Sequence, residues 1–358
     1  MIVKNLGIVL LCTCLLFGCQ RDVVPLADSS ARTTPSPSAA HSGGAGPARL
    51  FGIAVGPSSQ SFDLAVSDAV EAGSQVFEIP QQWKDVEDPT NLQILTQLCD
   101  LLTQHRLRAV LTMNPLDTME NQIPQEFQEY SFDDPVFVKA YTSFVDTTLA
   151  RVSQVELVSI AIGNEVDILL SDSKSDWESY TRFFIEIKRH IHKVKPGVPV
   201  GVKITFDGFR SRRALVNELV SHSDLVMLTY YPIAGDSVRS PAEVKQDFAE
   251  VCEAYPGLKV QFNEIGYPSS SAVESSEESQ AQFVVEALHA WESHPQIQLL
   301  NFVWINEMTP EAVEGLEAVV GEETPLVAFL SSLGLRDSHG TPKLAFRRLV
   351  EERKRLDF

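Results

Sequence analysis

Basic residues are few in this chain. Lys and Arg total 29 against 48 Asp and Glu, a formal charge of −19. Such a surface repels phosphate backbones, so nucleic acid is not an expected partner. Long apolar runs are lacking too: the segment from Leu6 to Phe17 is too short to span a bilayer comfortably. Cysteines number five, too few for a disulfide-built scaffold. With 358 residues, 44% of them apolar, the chain has ample material for a large core and room for a parallel barrel, which takes about 250 residues.

The basic start at Met1 to Lys4 and the apolar run to Phe17 read as an export leader covering residues 1–19. The run ends in Leu16-Phe17-Gly18-Cys19, which resembles a bacterial lipobox and implies diacylation of Cys19 and attachment to membrane lipid. Gln20, rather than Asp, follows the cysteine. In a two-membrane cell that pattern resembles outer-membrane sorting. Cys12 and Cys14 would leave with the leader, and Cys99 and Cys252 fall in helices distant around a barrel, so they read as separate buried thiols. Residues 20–49 are Ser, Ala, Thr, Pro and Gly with almost no large apolar side chain, a composition expected of a flexible tether.

From Leu50 the pattern alternates. Strand-like apolar runs occupy 50–55, 75–79, 107–113, 155–162, 199–205, 224–230, 258–263 and 298–304. Helix-length segments follow each, near 63–72, 90–105, 135–152, 175–194, 210–222, 241–254, 276–294 and 324–333, with a last helix near 343–355. Eight strand–helix units with apolar strands predict a single (β/α)₈ TIM-barrel domain over 50–358. An open doubly wound sheet is the rival, but Phe51-Gly52-Ile53-Ala54-Val55-Gly56-Pro57 lacks the Gly-rich loop expected after its first strand. In the fourth strand, Ser159, Ala161, Gly163 and Glu165 share one parity and Val158, Ile160 and Ile162 the other, which sends Glu165 to the inner rim. The seventh strand shows no clean parity.

Barrel chemistry sits at the carboxyl ends of the strands. Those ends carry Trp83 and Glu87, Asn114, Asn164-Glu165, Phe206-Asp207, Tyr230-Tyr231-Pro232, Asn263-Glu264, and Trp304 with Asn306 and Glu307. No histidine stands there, so neither a metal site nor a His-activated Ser or Cys nucleophile is expected, and no cofactor is. Carboxylates, amides and aromatics remain. Two carboxyl groups about 5–5.5 Å apart can cleave a glycosidic bond with retention, one as nucleophile and one as acid/base. Aromatic faces suit sugar rings.

Ile162-Gly163-Asn164-Glu165, Leu228-Thr229-Tyr230-Tyr231-Pro232, Asn263-Glu264-Ile265-Gly266-Tyr267-Pro268 and Trp304 resemble, in order, the motifs of clan A glycoside hydrolases. Gly-Asn-Glu-Val and Glu-Ile-Gly-Tyr-Pro-Ser look like family 17 endo-β-1,3-glucanases, and Tyr-Tyr-Pro like family 53 endo-β-1,4-galactanases. The resemblance implies Glu165 as acid/base and Glu264 as nucleophile of a double displacement. It also implies Asn164 on the sugar 2-hydroxyl, Tyr230 or Tyr231 on the nucleophile, and Trp304 under the sugar. Trp83 and Asn114 are further candidates for substrate contact. Many clan members carry an Arg at the end of strand two that touches the nucleophile; here Phe77-Glu78-Ile79-Pro80-Gln81 has none, and Gln81 or Lys203 are the candidates to replace it. Two functions are open: an endo-acting β-glycan hydrolase at a membrane surface, or a non-catalytic barrel that binds glycan or scaffolds the envelope.

Overall fold

A computed structural model describes residues 49–56, 62–321 and 324–357. The leader, Cys19 and nearly all of the tether lie outside the described residues. All eight expected strands form: β1 Leu50–Ile53, β2 Val76–Gln82, β3 Arg108–Asp117, β4 Leu157–Asn164, β5 as Val200–Gly201 and Lys203–Thr205, β6 Leu225–Tyr230, β7 Lys259–Ile265 and β8 Ile297–Phe302. Each pairs in parallel with its sequence neighbours, and β1 pairs with β8. The ring passes through a β5 broken at Val202, whose first piece pairs with β4 and whose second pairs with β6. The result is a nearly closed (β/α)₈ barrel in one domain.

Among the described residues seven longer helices lie in the connections between strands: α1 Phe62–Glu71, α2 Pro89–His105, α3 Pro135–Arg151, α4 Lys174–Val194, α5 Arg213–Ser221, α6 Val244–Ala254 and α7 Glu277–Ser293, with short helices at Val166–Leu170 and Phe206–Ser211 beside them. Their starts are written in the sequence. Asp88 accepts from the amides of Thr90 and Asn91 at 2.9 and 3.0 Å with Pro89 opening α2, and Asp134 with Pro135 opens α3 the same way.

The eighth covering helix differs from expectation. Pro325–Ser331 is only seven residues long and packs with Tyr231 and Trp304 in a separate apolar cluster toward the strand ends. The helix that closes the ring is α8, Leu344–Leu356. Its Arg355 pairs with Glu292 of α7 at 2.9 Å, and its Arg353 donates to the Glu71 carbonyl at the end of α1 at 2.9 Å.

Inside the barrel sits a small apolar cluster of Leu50, Val76, Val110, Ala161, Leu225, Met227 and Leu299. The parity of β4 is as expected from Ser159 onward, whereas Val158, at a shift in register against β3, packs on the inner cluster instead of the outer face. Ser159 faces inward and donates to Gln261 of β7 at 2.8 Å, while Ile160 and Ile162 join the outer core beneath the helices. β7 has a physical reason for its confused parity. Its register against β6 shifts between Phe262, opposite Leu228, and Glu264, opposite Thr229. A bulge of this kind adds one residue and re-aims the side chains beyond it, so Gln261 and Glu264 both face the interior. Cys99 and Cys252 are buried, free thiols.

Candidate active site

The chain leaves β4 through two left-handed residues, Gly163 at φ +85° and Glu165 at φ +47°. A side chain at Gly163 would collide with Val166 and lie 2.6 Å from the Tyr180 hydroxyl, so only glycine fits there. Glu165 has no such freedom. A non-glycine residue in that region is uncommon and tends to be held by its surroundings. Those surroundings are clear. One carboxylate oxygen accepts from Thr229 Oγ1 at 2.5 Å and the other from Thr118 Oγ1 at 2.9 Å, and the side chain is buried. Thr229 is the β6 residue in register with Glu264. The carboxylate arriving from β4 is therefore held by the strand neighbour of the carboxylate on β7.

Glu264 is surrounded differently. Its Oε2 accepts from the Tyr231 hydroxyl at 2.9 Å, and its Oε1 lies 3.5 Å from Lys203 Nζ. Lys203 is fully buried and also donates to Glu78, which accepts from Thr112 Oγ1 at 2.7 Å. Burial opposes the charge on Lys203, but Glu78 and Glu264 outweigh it, so the ammonium is held more firmly than usual.

These surroundings separate the two acids. Burial, and then the negative charge of Glu264, raise the Glu165 pKa well above the usual carboxylate range. Burial also raises that of Glu264, with Lys203 acting against the rise and Glu78 adding to it. Of the two, Glu165 is the one held well above the usual range, while Glu264 has a cation and a hydroxyl on its oxygens that favour its ionised form.

Several expected site residues are elsewhere. Tyr230 points away from the strand ends' interior. Its hydroxyl donates to Asp247 at 2.7 Å and its ring packs on Phe206 and Phe248, so the tyrosine on Glu264 is Tyr231. Trp83 is buried in an aromatic cluster with Phe127, Phe137, Tyr141 and Phe144, on the helix side of the wall. It is core, not a sugar platform. Trp304 stands at the end of β8 but is only 4% exposed, with Gly56 against its indole, so it serves as a packed wall rather than an open face. Asn114 and Asn164 do reach the interior beside Glu165, where both donate to Asp117, at 3.3 and 2.9 Å. Gln81 donates to its neighbour's carbonyl; of the two candidates it is Lys203 that stands beside Glu264.

Sequence reasoning did not single out Thr118, Thr229, Asp117 or Glu78. For Thr229 a signal existed: Leu225 and Met227 of the same parity face the interior. Glu78 shares parity with the interior Val76.

No protein-family model matches the sequence, and no curated protein matches it significantly. Solved structures do. A GH5_18 variant from Streptomyces cattleya, in complex with Manβ1-4GlcNAc, superposes with a TM-score of 0.68 at 15% identity, over 86% of this chain and 81% of its own. An exo-β-1,4-mannosidase from Opitutaceae bacterium strain TAV5 gives 0.66 at 16% identity, over 86% and 59%. The β-glucuronidase of Bacteroides uniformis gives 0.58 at 14%, over 85% and 35%. The likeness is one of fold. These neighbours are glycoside hydrolases, and the resemblance of this chain to clan A rests on its short motifs alone.

The role of Lys203 has a direct check that needs no substrate. Lys203→Met keeps the volume and removes the charge, so Glu264 loses the group that favours its ionised form. Isotope-edited infrared titration of the carboxyl groups should show one Glu titrating at higher pH in the variant, and Glu264→Gln should abolish that signal. An unchanged titration would mean the ammonium does not act on Glu264.

Proposed function

We propose that this protein is a retaining glycoside hydrolase acting on a β-linked glycan, with Glu165 as acid/base and Glu264 as nucleophile. The observation that carries the reading is the pairing through Thr229: its hydroxyl holds Glu165 while its backbone is the register partner of Glu264. Two carboxyls brought to one rim by neighbouring strand residues supply the nucleophile and the acid/base that a covalent double displacement uses.

The steps follow from the charges. Glu264 attacks the anomeric carbon as Glu165 gives its proton to the departing glycosidic oxygen. As that proton leaves, Glu165 becomes an anion, just when Glu264 loses its charge to the new ester bond. The repulsion that held the proton on Glu165 is gone, and Glu165 now serves as base for the incoming water. Tyr231 and Lys203 keep Glu264 oriented, ready to leave again. Asn164, fixed by Asp117, is offered to the sugar.

Support for a glycan substrate comes from the fold neighbours, one of which holds Manβ1-4GlcNAc and another of which is an exo-β-1,4-mannosidase. The non-catalytic alternative rested on the missing strand-two arginine; Lys203 beside Glu264 weakens it. The leader and Cys19 extend the proposal to an exported, lipid-anchored protein, on the outer membrane in a two-membrane cell.

A panel of β-mannan, β-glucan and β-galactan polymers with their oligosaccharides, followed by product sizing, tests the activity. Glu264→Gln should lower turnover at least about 10³-fold. The wild-type pH profile should be bell-shaped, with Glu264 ionisation on the acid limb and Glu165 deprotonation on the basic limb. Equal behaviour of wild type and Glu264→Gln on every substrate would end the enzymatic reading. For the anchor, Cys19→Ser should move the protein from the membrane fraction to the soluble fraction and abolish palmitate labelling; retention at the membrane would contradict acylation.

A further inference from the structure

The cation beside Glu264 is bound chiefly to a third acid. The side chain of Lys203 has no contact with solvent, whereas that of Glu78 is 18% exposed. The ammonium donates to Glu78 Oε1, the same oxygen that accepts from Thr112 Oγ1 at 2.7 Å. From Glu264 Oε1 it stands 3.5 Å away, beyond ordinary hydrogen-bond reach. Burial opposes the charge on Lys203; Glu78 sustains it most, then Glu264, with Asp117 adding least.

Glu264 therefore faces an ion pair and not a lone cation. The other ionisable groups that face it are Tyr231 from the end of β6, Glu165 from the end of β4 and Asp117 from β3. Arg210 and Arg239 are bound to Asp247 of α6. Burial raises the pKa of Glu264, Lys203 opposes the rise, and Glu78 restores part of it. This balance bears on both halves of a double displacement. A carboxylate nucleophile is an anion before it attacks and again once it has left. A cation held against it stabilises that anion, which slows attack and speeds departure. An acid that draws the cation away does the reverse.

We infer that Glu78 is a positioning residue for the nucleophile: by binding Lys203 it holds the ammonium off Glu264, so that Glu264 attacks the sugar faster and leaves it more slowly than it would beside a free cation. This rests on the proposed glycosidase reading. Glu78 itself touches neither reacting carboxyl; it acts through Lys203, and Thr112 fixes the oxygen with which it does so.

Glu78→Gln in the full chain keeps the size and an acceptor oxygen and removes the charge, leaving Lys203 to act on Glu264 alone. The acid limb of the kcat/KM profile, set by Glu264 ionisation, should move down by about one pH unit. With dinitrophenyl β-glycosides of mannose, glucose and galactose, whose leaving group departs readily, kcat/KM reports attack and kcat reports release. Glu78→Gln should lower kcat/KM about 10-fold while kcat holds or rises. An acid limb that stays in place or moves up overturns the inference. So does a kcat that falls in step with kcat/KM, which is what a general loss of order gives. Should Glu78→Gln not fold, a crystal structure of the wild type decides: an ammonium bound to Glu78 and standing off Glu264 supports the inference, and one hydrogen-bonded to Glu264 overturns it. If no glycoside is turned over, the glycosidase reading fails separately. Isotope-edited infrared titration then decides the electrostatic claim: Glu264 titrating at lower pH in Glu78→Gln supports it, and an unmoved or higher titration overturns it.

Discussion

Two carboxyl groups buried in one place cannot both carry a charge cheaply. At about 4 Å and an effective dielectric near 20, two unit charges repel by about 4 kcal/mol. The barrel forces that meeting, and much else at its mouth can be understood as deciding which acid yields. Lys203 and Tyr231 stand on Glu264. Glu165 receives two threonine hydroxyls and no cation. Burial and the charge of Glu264 therefore lift Glu165 well above the usual carboxylate range, and the two chemically identical side chains are set apart by their neighbours.

Holding that difference places demands on the backbone. The bulge in β7 turns Glu264 inward next to Thr229, at the expense of regular pairing. The left-handed turn at Gly163 and Glu165 carries the other acid over the strand end. Lys203 sits where β5 resumes after its break at Val202, and its burial is tolerable because two carboxylates flank it. Removing Lys203 would leave Glu78 and Glu264 without the cation between them.

The strand–helix rhythm was legible because apolar runs and capping residues such as Asp88-Pro89 and Asp134-Pro135 are local signals. The covering role of Leu344–Leu356 was not, since which helix lies on which gap depends on distant contacts such as Arg353 with Glu71. At the site, Glu165 could be read from the parity of β4. Strand parity carried along β6 in the same way separates Tyr231 from Tyr230, and along β2 it sets Trp83 with the outward Phe77 and Ile79. The β7 bulge broke that rule for Glu264, whose position was recognised from motif alone. Lys203 beside Glu264, and Asp117 as the anchor of amides from β2 and β4, needed the closed ring, because these partners lie on other strands.

Covalent trapping tests the central claim most directly. Incubation with activated 2-deoxy-2-fluoro β-glycosides of mannose, glucose and galactose should leave a sugar esterified to the protein, and peptide mapping should find it on Glu264. A label on Glu165 or any other residue, or turnover that inverts the anomeric configuration without a trapped ester, would contradict the assignment.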